Sequence, residues 1–131
     1  MVSKIDNFIE SMNKVSEYMT DTLRHSEVKY YYNFYKMGNN ERVKIINLLK
    51  GLLIDSNYSN LSFNDLRDYN YFYYVILEVR DYVQFYLYKI EDDYYYVSIY
   101  IYIHSSDEGH YYSYRLDQMS ELLRFLKILF N

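Results

Sequence analysis

Cysteine, proline, tryptophan and alanine are all missing from this chain of 131 residues, and glycine occurs three times. Without cysteine there are no disulfide staples, thiolate zinc sites, iron–sulfur clusters or cysteine nucleophiles. Without proline, the turns fall to Asn, Asp, Ser and the few Gly. No apolar run approaches the ~18–20 residues that cross a bilayer, and Met1-Val2-Ser3-Lys4-Ile5-Asp6 lacks the apolar stretch of a signal peptide. There is no Gly-rich phosphate loop and no Gly-x-Ser-x-Gly elbow. The expectation is a protein of the cytoplasm, without cofactor and without membrane contact.

The loss of alanine everywhere has no single-site explanation, since alanine is normally among the commonest residues. Ala, Pro and Gly have GC-rich codons, whereas Tyr, Asn, Ile and Lys have AT-rich ones. An AT-rich gene is the simplest account, and such genes are common in viruses, phages and mobile elements. Codon bias does not explain 21 Tyr against 7 Phe. That excess of hydroxylated rings points to aromatic surface that also meets water or polar partners. The net charge of −4 argues against a protein built to neutralise phosphates.

Half of the residues are hydrophobic, enough for one packed domain over 1–131. Residues 1–69 read as mainly helical. Ile5, Phe8, Ile9, Met12, Val15, Met19 and Leu23 follow the i, i+3, i+4, i+7 spacing of one helix face, with Ser3 as N-cap and Asp6 in the first turn. Val28 to Met37 has helical spacing at Tyr30, Phe34 and Met37, as a continuation of that helix or a separate one, and Gly38-Asn39-Asn40 supplies a stop and a fresh cap. Glu41 to Ile54 is a second helix, with Val43, Ile46, Leu49 and Leu53 on a stripe that Ile45, Leu48 and Leu52 widen, as for a helix packed on two sides. A short turn of helix is expected at Phe63 to Asp68.

The period changes in 70–115. Tyr71 to Val79 is a run of strand length. In Tyr82 to Ile90 the odd positions Val83, Phe85 and Leu87 are apolar, and in Tyr94 to His104 the odd positions are Tyr95, Val97, Ile99, Ile101 and Ile103. Antiparallel neighbours must put matching faces on one side, so odd pairs with odd across a loop of odd length. Glu91-Asp92-Asp93 is such a loop, and it pairs Leu87 with Val97, Phe85 with Ile99 and Val83 with Ile101. A further strand is expected near His110 to Arg115, in undecided register. Residues 116–131 form a C-terminal amphipathic helix on Leu116, Met119, Leu122, Leu123, Leu126 and Leu129. The fold class is α+β: N-terminal helices, an antiparallel meander of three to four strands, and the last helix packed on one sheet face.

The opposite face would then carry Tyr82, Tyr86, Tyr88, Tyr96, Tyr100 and Tyr102, with Tyr112 and Tyr114 as candidates for the last strand. A partner-binding site is expected on Tyr86, Tyr88, Tyr96, Tyr100 and Tyr102, rimmed by Asp92, Asp93, Asp107 and Glu108 to steer a basic partner. Tyr is enriched at protein interfaces because it brings area at low rotamer cost. Base stacking also uses aromatic sheets, but it needs a basic track, and these hairpin ends are acidic. The expected function is therefore non-enzymatic: a small viral, phage or mobile-element protein that blocks a host protein, such as a defence component. A viral assembly subunit self-associating through the same face is the first alternative; a homodimer is compatible with either reading. The second is a small hydrolase or nuclease using His104 and His110, which flank one turn with Asp107 between them. Two His and one carboxylate are a minimal metal set, but the spacing matches no closed motif and no metal is expected.

Overall fold

The computed structural model describes residues 3–18, 37–53, 71–89 and 94–130. Helix α1 (Lys4–Tyr18) begins where the sequence predicts. The Ser3 Oγ accepts the Asp6 N–H at 3.0 Å, which satisfies one of the orphan donors of the first turn. A second donor of that turn, the Ile5 N–H, is taken by the Glu78 carboxylate at 3.2 Å. The anion also complements the positive end of the helix dipole. Ile5, Phe8, Met12 and Val15 are buried, as the spacing predicts; Met19 and Leu23 lie outside the described residues, as do the helical spacing before Met37 and the turn at 63–68.

Helix α2 (Asn39–Leu53) buries Ile45, Ile46 and Leu49. Val43, expected on the stripe, is exposed. Aliphatic residues at 43, 45, 46, 48, 49 and 52 surround most of the helix, so their spacing alone does not fix which face turns inward. Helix α3 (Met119–Leu129) is strongly amphipathic, with Leu122, Phe125, Leu126 and Leu129 buried. Leu116, expected in this helix, is instead the last residue of the final strand.

The sheet is a four-stranded antiparallel meander in the order β1 (Tyr71–Glu78), β2 (Asp81–Lys89), β3 (Tyr95–Ile103), β4 (Glu108–Leu116). Leu87 opposes Val97, Phe85 opposes Ile99 and Val83 opposes Ile101, the register expected from parity; the connecting residues 90–93 lie outside the described set. β1 and β4 pair with opposite parity. Phe72 opposes Leu87 and Tyr74 opposes Phe85, while Ile99 opposes Tyr112 and Val97 opposes Tyr114. Tyr112 and Tyr114 thus stand on the helix side, and Tyr111 takes the place expected for them on the other face.

The helices cover the aliphatic face, α3 lying against both α1 and α2. Each large apolar side chain sealed there contributes about 1.5–3 kcal/mol of transfer free energy. Phe130, just past α3, meets one aromatic ring from each of three elements: Phe8 at 6.1 Å, Tyr74 at 6.4 Å and Phe85 at 5.2 Å between centroids. Where α2 meets the sheet, a polar cluster closes the layer. Lys89 Nζ donates to Glu41 Oε2 at 3.1 Å and lies 4.8 Å from the Tyr95 ring centroid. The Tyr95 hydroxyl donates to the same carboxylate oxygen, and Glu41 Oε1 accepts the Gly38 N–H at 3.2 Å. Glu41 is the third residue of α2, so this last bond is the return half of a capping box.

The β1–β2 connection is the dipeptide Val79-Arg80. Val79 is 99% exposed at φ 59°, a conformation that a β-branched residue adopts only under strain. Two-residue hairpins with positive φ at the first loop position alone favour glycine there. Val79→Gly is therefore expected to stabilise the fold by about 0.5–1 kcal/mol, strain relief outweighing the added freedom of the unfolded chain. Urea denaturation reads this directly; a lowered midpoint would contradict it.

Candidate interaction face

Pleating places Tyr71, Tyr73, Val75 and Leu77 of β1 on the face away from the helices. Opposite them run Tyr88, Tyr86, Gln84 and Tyr82 of β2, then Tyr96, Ser98, Tyr100 and Tyr102 of β3. Arg115, Ser113, Tyr111 and Gly109 of β4 complete the lattice. Nine of these sixteen positions are tyrosine. Directly opposed rings meet in pairs: Tyr73 with Tyr86 at 4.7 Å, Tyr88 with Tyr96 at 5.8 Å, Tyr82 with Tyr102 at 5.2 Å and Tyr100 with Tyr111 at 4.4 Å. Cross-strand aromatic pairs of this kind stabilise a sheet by roughly 0.2–1 kcal/mol each.

The two ends of the face differ. At one end Tyr88 and Tyr96 are 2% and 6% exposed, their rings stacked 13° from parallel and the Tyr88 hydroxyl 2.8 Å from Ser98 Oγ. Both were expected to touch a partner, and both are covered within the chain itself. Tyr86 is half-buried between Tyr71 and Tyr73. At the other end Leu77 is 70% and Tyr111 47% exposed, and Tyr82, Tyr100 and Tyr102 between them are half-buried like Tyr86. The exposed positions of the lattice are therefore Leu77 and Tyr111, and with Tyr82, Tyr100 and Tyr102 they form its open end. The expected site residues Tyr100 and Tyr102 belong to it, Tyr82 was on the expected face, and Leu77 and Tyr111 are additions. Tyr111 was missed because β4 carries Tyr on both parities.

The rim of this open end is acidic and ordered. Ser106 closes a 3₁₀ turn over His104–Ser106, and Asp107 follows at φ 50°, a left-handed conformation that Asp tolerates. The Tyr102 hydroxyl donates to Asp107 Oδ1 at 2.9 Å. That bond is the largest of the influences that hold the Tyr102 phenol above its ordinary pKa. Burial, then the neighbouring rings, push Tyr100 and Tyr86 the same way. These three rings thus stay neutral at physiological pH and serve as aromatic surface with hydroxyl donors. Gly109 lies beneath the Tyr100 ring, where a Cβ would come within 2.1 Å of the hydroxyl oxygen. Only glycine lets this ring lie flat on β4. Glu108 pairs with His110 at 3.4 Å; Asp92 and Asp93 lie outside the described residues.

The two histidines considered for hydrolysis have different partners. Arg80 Nη1 donates to His104 Nε2 at 3.1 Å, and the His104 N–H goes to Asp81 Oδ1 at 2.8 Å. His110 faces Glu108. Among the described residues no group of three His, Cys, Asp or Glu is placed to hold a metal ion. No helix of the described residues is long and apolar enough to cross a membrane. No family model, curated protein or solved structure matches the chain.

Proposed function

We propose that this is a non-enzymatic binding protein of viral, phage or mobile-element origin, which occludes a surface of a host protein with the open end of its tyrosine face. The observation that carries this reading is the cluster of Leu77, Tyr82, Tyr100, Tyr102 and Tyr111, in which exposed Leu77 and Tyr111 flank three half-buried rings at the end of the lattice away from the buried Tyr88 and Tyr96. Exposed contiguous aromatic surface of this kind marks interaction sites, and paired rings lose little rotamer freedom when a partner seats on them. Asp107 at its edge, with Asp81 and Glu108 at the same end of the sheet, favours a host protein with a basic surface over nucleic acid.

The test is capture of a host protein by wild type and by Tyr102→Ala/Tyr111→Ala. A single host protein retained by wild type and lost from the double variant, with the variant still folded and its melting temperature lowered only by the loss of two cross-strand ring pairs, is the expected result. Equal capture by both would overturn the reading. Light scattering separates the assembly alternative, which requires mass to rise with concentration.

A further inference from the structure

We infer that the open end of the tyrosine face is a seat for arginine side chains, so that the partner presents an arginine-bearing segment; this rests on the binding function proposed above. The chain shows twice how it holds a cation. The Arg115 guanidinium lies 4.7 Å from the Tyr94 ring centroid, with its Nε 3.4 Å from Asp117 Oδ1. Lys89 Nζ lies 4.8 Å from the Tyr95 ring centroid and 3.1 Å from Glu41 Oε2. Each cation thus has a tyrosine ring on one side and a carboxylate on another, the combination in which ring quadrupole and ion pair act together. The open end carries the same two ingredients turned to solvent. Tyr102 is tied to Asp107 through its hydroxyl, which fixes ring and carboxylate relative to each other. Tyr82 stacks on Tyr102 at 27°, and Tyr111 lies against Tyr100 at 30°, so the rings present their faces and edges as one surface.

Charge complementarity selects the cation. Asp107 stands beside these rings, held by the Tyr102 hydroxyl, and Asp81 and Glu108 add negative charge at the same end of the sheet from the opposite parity. An anionic partner would meet the Asp107 carboxylate at the edge of the rings. Arginine is favoured over lysine because its planar, weakly hydrated guanidinium stacks on a ring while its edge still donates to a carboxylate, whereas an ammonium acts as a point charge.

The experiment uses the whole protein with three eight-residue peptides alternating glycine with arginine, lysine or glutamine, capped at both ends, and follows tyrosine fluorescence or NMR shifts on titration. The arginine peptide is expected to bind at least about fivefold more tightly than the lysine peptide and more tightly still than the glutamine peptide. Tyr102→Ala is expected to weaken arginine-peptide binding about fivefold, and Asp107→Asn by a similar factor. Asn keeps the left-handed backbone at 107, so the second variant tests charge without touching the turn. Glu10→Gln, on the exposed side of α1, changes net charge alone and should leave binding unchanged. Equal binding of arginine and lysine peptides, indifference to Tyr102→Ala, or no binding of the arginine peptide would each overturn the inference. Host capture that depends on Tyr102 and Tyr111 but is not competed by the arginine peptide would overturn it while leaving the proposed function standing. Peptide binding of the expected selectivity without host capture would support the seat and remove the host-blocking reading.

Discussion

Phe130→Ala is expected to destabilise the fold by about 3–5 kcal/mol, the range for emptying a buried phenylalanine site. The residue is 2% exposed and touches rings from α1, β1 and β2, so its removal opens a void bounded by three elements. None can close that void without breaking its own packing. Two of the lost contacts are edge-to-face, a geometry that adds to simple area burial. Urea denaturation should show a lower midpoint at unchanged slope, since the surface exposed on unfolding is the same. Phe130→Leu keeps most of the volume and should cost about 1–1.5 kcal/mol. A loss below about 1 kcal/mol for the alanine variant would show that the surrounding rings collapse into the space.

Glu41→Ala is expected to cost about 2–3 kcal/mol, somewhat under the 3–5 kcal/mol typical of breaking a fully buried pair. The discount reflects exposure: the Lys89 side chain is 8% exposed, but that of Glu41 is 29% exposed. The variant removes at once the carboxylate that Lys89 and Tyr95 donate to and the return bond of the helix cap. Lys89→Met should cost less, because Glu41 keeps Tyr95, the Gly38 N–H and partial hydration. Equal losses would contradict this asymmetry. The same site gives a pH dependence. Burial alone would raise the Glu41 pKa, but donation from Tyr95, Lys89 and the Gly38 N–H, with the Lys89 charge, brings it below its ordinary value of 4.5. A depressed folded-state pKa stabilises above the unfolded value and loses that contribution as pH falls through the folded one. Stability measured from neutrality down through pH ~4 should therefore fall more steeply in wild type than in Glu41→Gln. Parallel curves would exclude Glu41 as a source of the acid sensitivity.

How far the sequence reveals this architecture depends on whether the two faces of an element differ in residue type. β2 and β3 alternate aliphatic with tyrosine, so parity alone identified their register. β1 and β4 have aromatic residues on both parities: Phe72 and Tyr74 face the helices while Tyr71 and Tyr73 face away, and Tyr112 and Tyr111 divide in the same manner. Pattern carries no orientation there, and the two-residue Val79-Arg80 connection and the 104–107 turn decide it. In the candidate site, tyrosine was legible as the surface residue, but burial was not. Tyr88 and Tyr96 share a face and a residue type with Tyr100 and Tyr102, and only tertiary covering separates them. Lys89 on the aliphatic parity was a visible oddity whose partner, Glu41, lies 48 positions away, beyond any local spacing rule.

The position of α3 between α1 and α2 also sets an order of events during synthesis. The sheet is built from neighbours in sequence and can zip as successive hairpins while the chain is still emerging. Its aliphatic face stays incompletely roofed, however, until residues 119–130 have been made, because α3 packs against both earlier helices and Phe130 completes the aromatic cluster. For that interval Phe85 and Tyr74 lack the Phe130 ring that packs on them, and nascent chains on neighbouring ribosomes could associate through this uncovered surface. Completion of the last helix is thus the step that ends this vulnerability.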